Sequence, residues 1–149
     1  MRLLLVLPMV FCGLSPALAS GGLWCDVDDD KAKIAINSGM TRGMGSPLFS
    51  FEATVELKDQ AVAEDLRSVK FGHATQYWLD GDTLNLLLYW EREGDKEFGS
   101  VEATFMTQYA DDDEGTYDGE YAITVHDGGK PTADGEPLRY TGKISCGVE

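Results

Sequence analysis

Carboxylates are the most abundant side chains in this sequence that could do chemistry, and two stretches bring several of them together. Asp111, Asp113 and Glu114 lie within four consecutive residues before a glycine, and such hard oxygen ligands suit weakly bound Ca²⁺. A second stretch matches the first three ligand positions of a calcium-binding loop, with Asp26, Asp28 and Asp30. Lys31 stands where that loop requires glycine. The sequence therefore predicts no bound cofactor, and the stretch that ends at Glu114 is where calcium would bind if a metal binds at all.

Few side chains suit acid–base or nucleophilic catalysis. His73 lies on the inward side of a predicted strand, where we expect a core histidine with a hydrogen-bond partner. His126 lies on an outward side next to a turn, and Ser46 has no identifiable base. The chain contains no G-x-S-x-G, H-E-x-x-H or phosphate-binding glycine motif. The sequence therefore predicts that the protein is not an enzyme. A weakly calcium-binding or hydrolytic protein is the second alternative to the function predicted below.

Residues 1–19 have the pattern of a cleaved secretory signal peptide. Arg2 precedes an apolar stretch from Leu3 to Leu14, and small residues lead to a cleavage site after Ala19. The apolar stretch is too short to span a bilayer as a helix, and no later stretch is long enough. We therefore expect residues 20–149 to form one β domain without membrane insertion, exported to the periplasm or the extracellular medium.

The cysteines support an oxidising compartment. Removal of the signal peptide takes away Cys12 and leaves Cys25 near the start and Cys146 near the end. An even pair of cysteines in an exported chain is expected to form a disulfide. This bridge would close nearly the whole domain into one loop, and the chain-entropy model assigns about 5 kcal/mol of stabilisation to such a closure.

The stretch Thr75–Trp90 gives the strongest local structural signal. Two alternating apolar runs are separated by Asp80-Gly81-Asp82, a turn sequence typical of β-hairpins. The resulting register places Tyr77 and Leu79 on the same side as the leucines of the second run. We expect this hairpin to lie in the middle of the sheet, with the other strands added on either side.

Alternation of apolar and polar residues along the rest of the domain predicts an all-β fold with eight strands and one or two helical turns near Val62 and Leu66. We predict an eight-stranded antiparallel up-and-down barrel or flattened barrel, with a two-sheet β-sandwich as the alternative. Cys25 and Cys146 fall on inward sides of the terminal strands, so their bridge would close the barrel. The aromatic residues expected inside are Phe49, Phe51, Phe71, Tyr77, Trp90, Phe105, Tyr117, Tyr121 and Tyr140.

A short motif resembles one family of β-barrels. Gly22-Leu23-Trp24 is similar to the G-x-W in the first strand of lipocalin-like barrels, where a basic residue late in the chain covers the tryptophan. The resemblance implies this role for Arg139 or Lys143. It covers three residues, and the C-terminal helix of that family is missing from the predicted elements, so we do not assign the chain to the family.

The loop Asn37–Pro47 is the stretch that we expect to contact a protein partner. Its glycines make it flexible, and Met40, Arg42 and Met44 are residue types enriched at interfaces. The net charge of −14 argues against nucleic acid and anionic membrane surfaces and favours a cationic protein. We therefore predict a protein-interaction or inhibitor module that acts through loops of an acidic barrel. The alternative is a carrier of a small apolar ligand inside the barrel.

Overall fold

The computed structural model describes residues 20–41, 47–110, 115–130, 132 and 134–149. In these ranges the chain forms nine strands and one short helix, and all the strands belong to one antiparallel sheet. The elements in chain order are β1 (Ser20–Asp28), β2 (Ala32–Thr41), β3 (Leu48–Leu57), α1 (Glu64–Arg67), β4 (Ser68–Phe71), β5 (Gln76–Asp80), β6 (Thr83–Glu91), β7 (Gly99–Tyr109), β8 (Thr116–Asp127) and β9 (Leu138–Val148).

The sheet has the strand order β4-β3-β2-β1-β9-β8-β7-β6-β5 and is curled into a half-barrel. The first and last strands are neighbours, as predicted, and the disulfide joins Cys25 to Cys146 where the two residues lie opposite each other. These strands form the centre of the sheet. The expectation that the hairpin β5–β6 occupies the middle is wrong, because β5 is an edge strand.

The described ranges contain nine strands rather than the predicted eight because the predicted fourth strand is divided. Its first part, β4, pairs with β3, and its second part, β5, pairs with β6. Residues 72–75 link the two ladders, and Thr75 donates its N–H to the carbonyl oxygen of Leu87 at 2.9 Å. His73 lies in this link and is exposed, so the expected core histidine is a wrong prediction, whereas His126 is exposed as expected.

The hairpin itself has the predicted register. Tyr77 lies opposite Leu86, and Asp80 lies opposite Thr83 on either side of a two-residue loop. Gly81 begins this loop with a φ of 53°, a conformation that glycine adopts without steric cost. The hydroxyl of Tyr117, on β8, donates to the carbonyl oxygen of Gly81 at 3.0 Å and ties the hairpin to the rest of the sheet.

The core fills the concave side of the half-barrel. Leu88, Val101, Phe105 and Ile123 are each at most 1% exposed. The short segment before β4 contributes as predicted, with apolar side chains buried at Val62 and at Leu66. The inward side chains pack against one another as a single apolar cluster. Removing these side chains from water supplies the hydrophobic free energy that stabilises the curled sheet.

One predicted core aromatic faces the other way. Phe49 is 45% exposed, whereas Phe51 is 7% exposed. The β2–β3 register shifts next to Gly39, and Ser50 has a φ of 51°, which together mark a β-bulge. An extra residue in one strand reverses the alternation, so Phe49 lies outward over Gly39. Trp24 is also outward and 38% exposed, an arrangement unlike the covered tryptophan that the lipocalin-like motif implied.

Two inward tyrosines hold loops at one end of the half-barrel. The Tyr121 hydroxyl donates to Asp29 Oδ2 at 2.6 Å, and the Tyr140 hydroxyl donates to Asp59 Oδ2 at 2.9 Å. Burial opposes ionisation of Asp29, but hydrogen bonds from Tyr121 and from the N–H of Ala32 outweigh it, so the pKa of Asp29 lies below its usual value. Burial and the nearby carboxylate raise the pKa of Tyr121, which stays neutral as a donor.

We expect Tyr121→Phe to lower the free energy of unfolding by about 1.5–3 kcal/mol at neutral pH, because it removes a hydrogen bond to a charged acceptor. The matched variant Tyr117→Phe removes a hydrogen bond to a neutral carbonyl and should cost about 0.5–1.5 kcal/mol. Because the folded pKa of Asp29 is depressed, the Tyr121 contribution is present above the unfolded pKa of about 4 and is lost as the pH falls. Urea titrations at neutral and acid pH measure both effects, and equal losses in the two variants at neutral pH would contradict the prediction.

Arg92 joins three elements at the same end of the half-barrel. Its guanidinium donates from Nε and Nη2 to the carboxylate of Asp65 in α1 at 2.9 and 3.1 Å. Its Nη1 donates to Asp127 Oδ1 at the end of β8 at 3.2 Å and to the carbonyl oxygen of Glu97 at 2.8 Å. The Arg92 side chain is 8% exposed, so these are shielded ion pairs. They fix the helix and the β6–β7 connection against the sheet.

Candidate binding surface

The outward side of β5, β6 and β7 carries large apolar side chains where alternation normally places polar ones. Trp78 is 46% exposed, Tyr89 is 39% exposed and Met106 is 67% exposed. Each comes from a strand whose other side packs in the core, so the backbone beneath them is held by hydrogen-bonded ladders. Together with Asn85 and Leu87, these residues form what we call the outer aromatic face.

Cross-strand pairing fixes the arrangement of this face. Asn85 lies between Trp78 on β5 and Met106 on β7, directly opposite both, and is only 8% exposed. When the amide oxygen of Asn85 faces Trp78, it accepts a hydrogen bond from Trp78 Nε1 at 2.7 Å. In the same orientation the amide nitrogen donates to the carbonyl oxygen of Leu84 at 3.3 Å. The indole is therefore held in one orientation while much of its ring stays exposed, as suits a preformed binding residue.

Carboxylates surround the outer aromatic face. Glu102 lies directly opposite Tyr89, whose hydroxyl donates to Glu91 Oε2 at 2.9 Å. This hydrogen bond raises the pKa of Tyr89. Asp80 follows Trp78 on the outward side of the same strand. Aromatic rings beside carboxylates are complementary to lysine and arginine, whose stems are apolar and whose ends are cationic.

A shallow cleft of about 500 Å³ continues the outer aromatic face across β7 and β8. Its lining includes Met106, Thr104, Ala122 and Glu120. Glu120 is paired with Lys143 at 2.7 Å, and the hydrogen bond from the ammonium lowers the pKa of this carboxyl. The cleft is open and mostly uncharged, so it extends the contact area of the face more than it encloses a small molecule.

The predicted contact loop is only partly described by the structure. Met40 is 5% exposed near the end of β2, so its side chain is buried. Arg42 and Met44 lie outside the described residues, and their role in binding stays a prediction. The outer aromatic face was not among the sites predicted from the sequence. The signal was present, since Trp78 and Met106 are apolar residues at outward positions of alternating strands.

Of the two predicted calcium stretches, only the one that contains Asp26, Asp28 and Asp30 lies within the described residues. Asp111, Asp113 and Glu114 lie outside the described residues. Among the described residues, no group of three or more histidine, cysteine or acidic side chains is placed to hold a metal ion. Asp26 and Asp28 belong to a strand rather than a loop, and the Asp29 carboxylate accepts N–H groups of the following turn.

Comparison of the chain with protein-family models, curated proteins and solved structures finds no match. In the part of the chain that the structure describes, no helix has the length and apolar character needed to cross a membrane. The function must therefore be argued from the surface geometry and charge of this molecule.

Proposed function

We propose that this protein is an exported, non-enzymatic binding protein that acts as an interaction or inhibitor module for a cationic protein. The observation that carries the proposal is the outer aromatic face, which presents Trp78, Tyr89 and Met106 on a rigid sheet with carboxylates around them. Aromatic residues and methionine are enriched in the cores of protein interfaces, and tryptophan and tyrosine dominate their energetics. The disulfide and the signal-peptide pattern support export.

The charge of the chain supports a cationic partner. Twelve basic and 26 acidic residues give a net charge of −14, which attracts a positively charged protein over a distance set by ionic strength. Negative charge also lies beside the outer aromatic face, at the carboxylates of Glu91 and Glu102. The long-range field speeds the encounter, and the local carboxylates determine the register of the docked partner.

The packed interior favours this proposal over a carrier of a small apolar ligand. A ligand inside the half-barrel would need to displace side chains such as Phe105 and Tyr121, each 1% exposed and packed in the same cluster. Side chains that fill an interior at native density leave little room for a guest. The loop that contains Arg42 and Met44 remains part of the proposal as a second contact, as first inferred from its sequence.

Binding of residues 20–149 to lysozyme, ribonuclease A and cytochrome c, three basic proteins, tests the proposal. We expect at least one of them to bind at low ionic strength, with an affinity that falls as salt is added. Trp78→Ala should weaken this binding by about 30-fold, the effect of losing a hot-spot residue worth roughly 2 kcal/mol. Isothermal titration calorimetry gives the affinities, and a lysozyme lysis assay shows whether binding also inhibits.

The matched control is Trp24→Ala, which removes another exposed tryptophan from β1, several strands away from the face. This variant should bind as the wild type does. Failure of all three basic proteins to bind at low salt would contradict the proposal. Equal losses of affinity in the two tryptophan variants would contradict the assignment of the face.

A further inference from the structure

One side of the half-barrel has an incomplete ladder. β3 pairs with β4 from Ala53 to Glu56, so within the described residues Leu48–Glu52 has no strand beyond it. In the same ranges β5 pairs with β6 alone, so the other edge of Gln76–Asp80 also has no partner. Because β5 continues the chain direction of β4 after residues 72–75, both unpaired edges border one opening. We call this opening the β3–β5 seam.

A tyrosine spans the seam. The N–H of Leu48 donates to the hydroxyl of Tyr77 at 3.2 Å. Asp80 and Thr83 close the two-residue hairpin loop as a hydrogen-bonded pair, and such pairs alternate, so Tyr77 and Leu79 direct their own N–H and C=O groups into the seam. The Tyr77 hydroxyl thus stands where the carbonyl oxygen of a neighbouring strand would accept the N–H of Leu48.

The walls of the seam indicate what kind of strand would fit. The concave side is apolar, with Phe51 buried and Leu48, Tyr77 and Leu79 partly buried against the core. On the convex side Phe49 and Trp78 are exposed, one on each edge. The side chains of a strand placed between the edges would alternate between the two sides of the sheet. Its inward side chains would be apolar, and its outward side chains would lie between the rings of Phe49 and Trp78.

The negative charge at the seam favours lysine or arginine among the outward side chains of an added strand. Neither Leu48–Glu52 nor Gln76–Asp80 contains a lysine or arginine, and the two edges contribute the carboxylates of Glu52 and Asp80. A lysine or arginine on an added strand would meet aromatic faces and carboxylates together.

We propose that the β3–β5 seam accepts an extended segment of the cationic partner as an added strand, with its apolar side chains facing inward and its lysines or arginines over Phe49 and Trp78. This inference rests on the proposed function and specifies how the partner is held. Main-chain hydrogen bonds to both edges would supply affinity, and the alternating side chains would supply specificity. An added strand requires two strand spacings, about 9–10 Å, between the two edges. The Tyr77 hydroxyl gives up the N–H of Leu48 when the strand enters.

The test uses the synthetic peptide Lys-Val-Lys-Val-Lys-Val-Lys and the same peptide with N-methylated valines, which keeps the charge and removes alternate N–H donors. We expect the first peptide to bind residues 20–149 and the methylated peptide to bind at least tenfold more weakly. Nuclear magnetic resonance should show protection of the amides of Leu48 and Leu79 from hydrogen exchange when the first peptide is bound.

Two protein variants test whether Tyr77 competes with the peptide at the seam or only stabilises the fold. Tyr77→Phe removes the group that competes for the N–H of Leu48, so the peptide should bind about fivefold more tightly. Tyr140→Phe removes a hydroxyl bonded to Asp59 at the opposite end of the half-barrel and should leave peptide affinity unchanged. A loss of affinity in Tyr77→Phe would overturn the proposal.

The outcomes distinguish this inference from the function on which it rests. Equal binding of the two peptides, or binding of basic proteins with no binding of either peptide, overturns the added strand and leaves the proposed function standing. No binding of any peptide or basic protein overturns both. A dimer in analytical ultracentrifugation that excludes the peptide would assign the seam to a second copy of this chain and would also overturn the proposal.

Discussion

Replacing both Cys25 and Cys146 with serine will lower the free energy of unfolding by about 5 kcal/mol. The two residues are 121 positions apart, so the bridge removes more chain entropy from the unfolded state than almost any other pairing in this domain could. The location adds to the effect. The β1–β9 ladder has four residue pairs, against nine for β1–β2, and it joins the two halves of the sheet.

Urea titration of residues 20–149 with the bridge intact, reduced by dithiothreitol, or removed by the double substitution measures this loss. The reduced protein and the serine variant should unfold at the same, much lower urea concentration. If the loss exceeds the total stability, far-ultraviolet circular dichroism will show the variant unfolded in buffer. Coincident transitions for the oxidised and reduced proteins would contradict the prediction.

Replacing Arg92 with methionine will lower the free energy of unfolding by about 3–5 kcal/mol. Methionine fills much of the volume of the arginine stem but leaves the carboxylate of Asp127, 11% exposed, without its cation. It also releases Asp65, and with it the anchoring of α1. The loss of stability arises mainly because a carboxylate stays buried without a compensating charge. An intact buried ion pair adds little net stability, but removal of one partner is strongly destabilising.

The pH dependence of this effect has a definite sign. The hydrogen bond from Arg92 holds the pKa of Asp65 below its usual value. A carboxyl with a depressed folded pKa stabilises the fold above its unfolded pKa of about 4, and that stabilisation is lost as the pH falls through the folded pKa. The difference in stability between the wild type and Arg92→Met should therefore be full at neutral pH and smaller in acid.

The matched control for Arg92 is an exposed ion pair. Lys143 and Glu120 form a 2.7 Å contact with side chains 83% and 69% exposed, so Lys143→Met should cost less than about 1 kcal/mol. Thermal and urea unfolding of both variants give the comparison. Similar losses in the two variants would show that the ion pairs of Arg92 are no better shielded from water than the surface pair.

Much of the local structure could be predicted from the sequence because it depends on neighbouring residues. Alternation places Phe51, Val55 and Leu57 on the inward side of β3, and the structure confirms their burial. The turn at Gly81 sets the register of the hairpin, because a two-residue loop leaves one way to pair the strands. The pairing of Cys25 with Cys146 followed from counting cysteines in an exported chain.

The candidate sites were harder to predict. Met40 belongs to the predicted contact loop, and the structure places it near the end of β2 with its side chain buried. The outer aromatic face depends on Met106 of β7 lying opposite Asn85, which pairs with Trp78 inside the β5–β6 hairpin, so the β6–β7 ladder completes the face. Residue types can indicate an interface, but only strand pairing brings those residues side by side.

The sequence by itself determined most of the strands, the apolar side of most of them, and the bridge between the first and last strands through Cys25 and Cys146. Only the tertiary structure decided that the fourth predicted strand divides at residues 72–75 and that a bulge at Ser50 turns Phe49 outward. The reason is physical. Alternation reports the side to which a residue points, whereas a change of pairing partner or an inserted bulge is determined by curvature and packing of strands far apart in the chain.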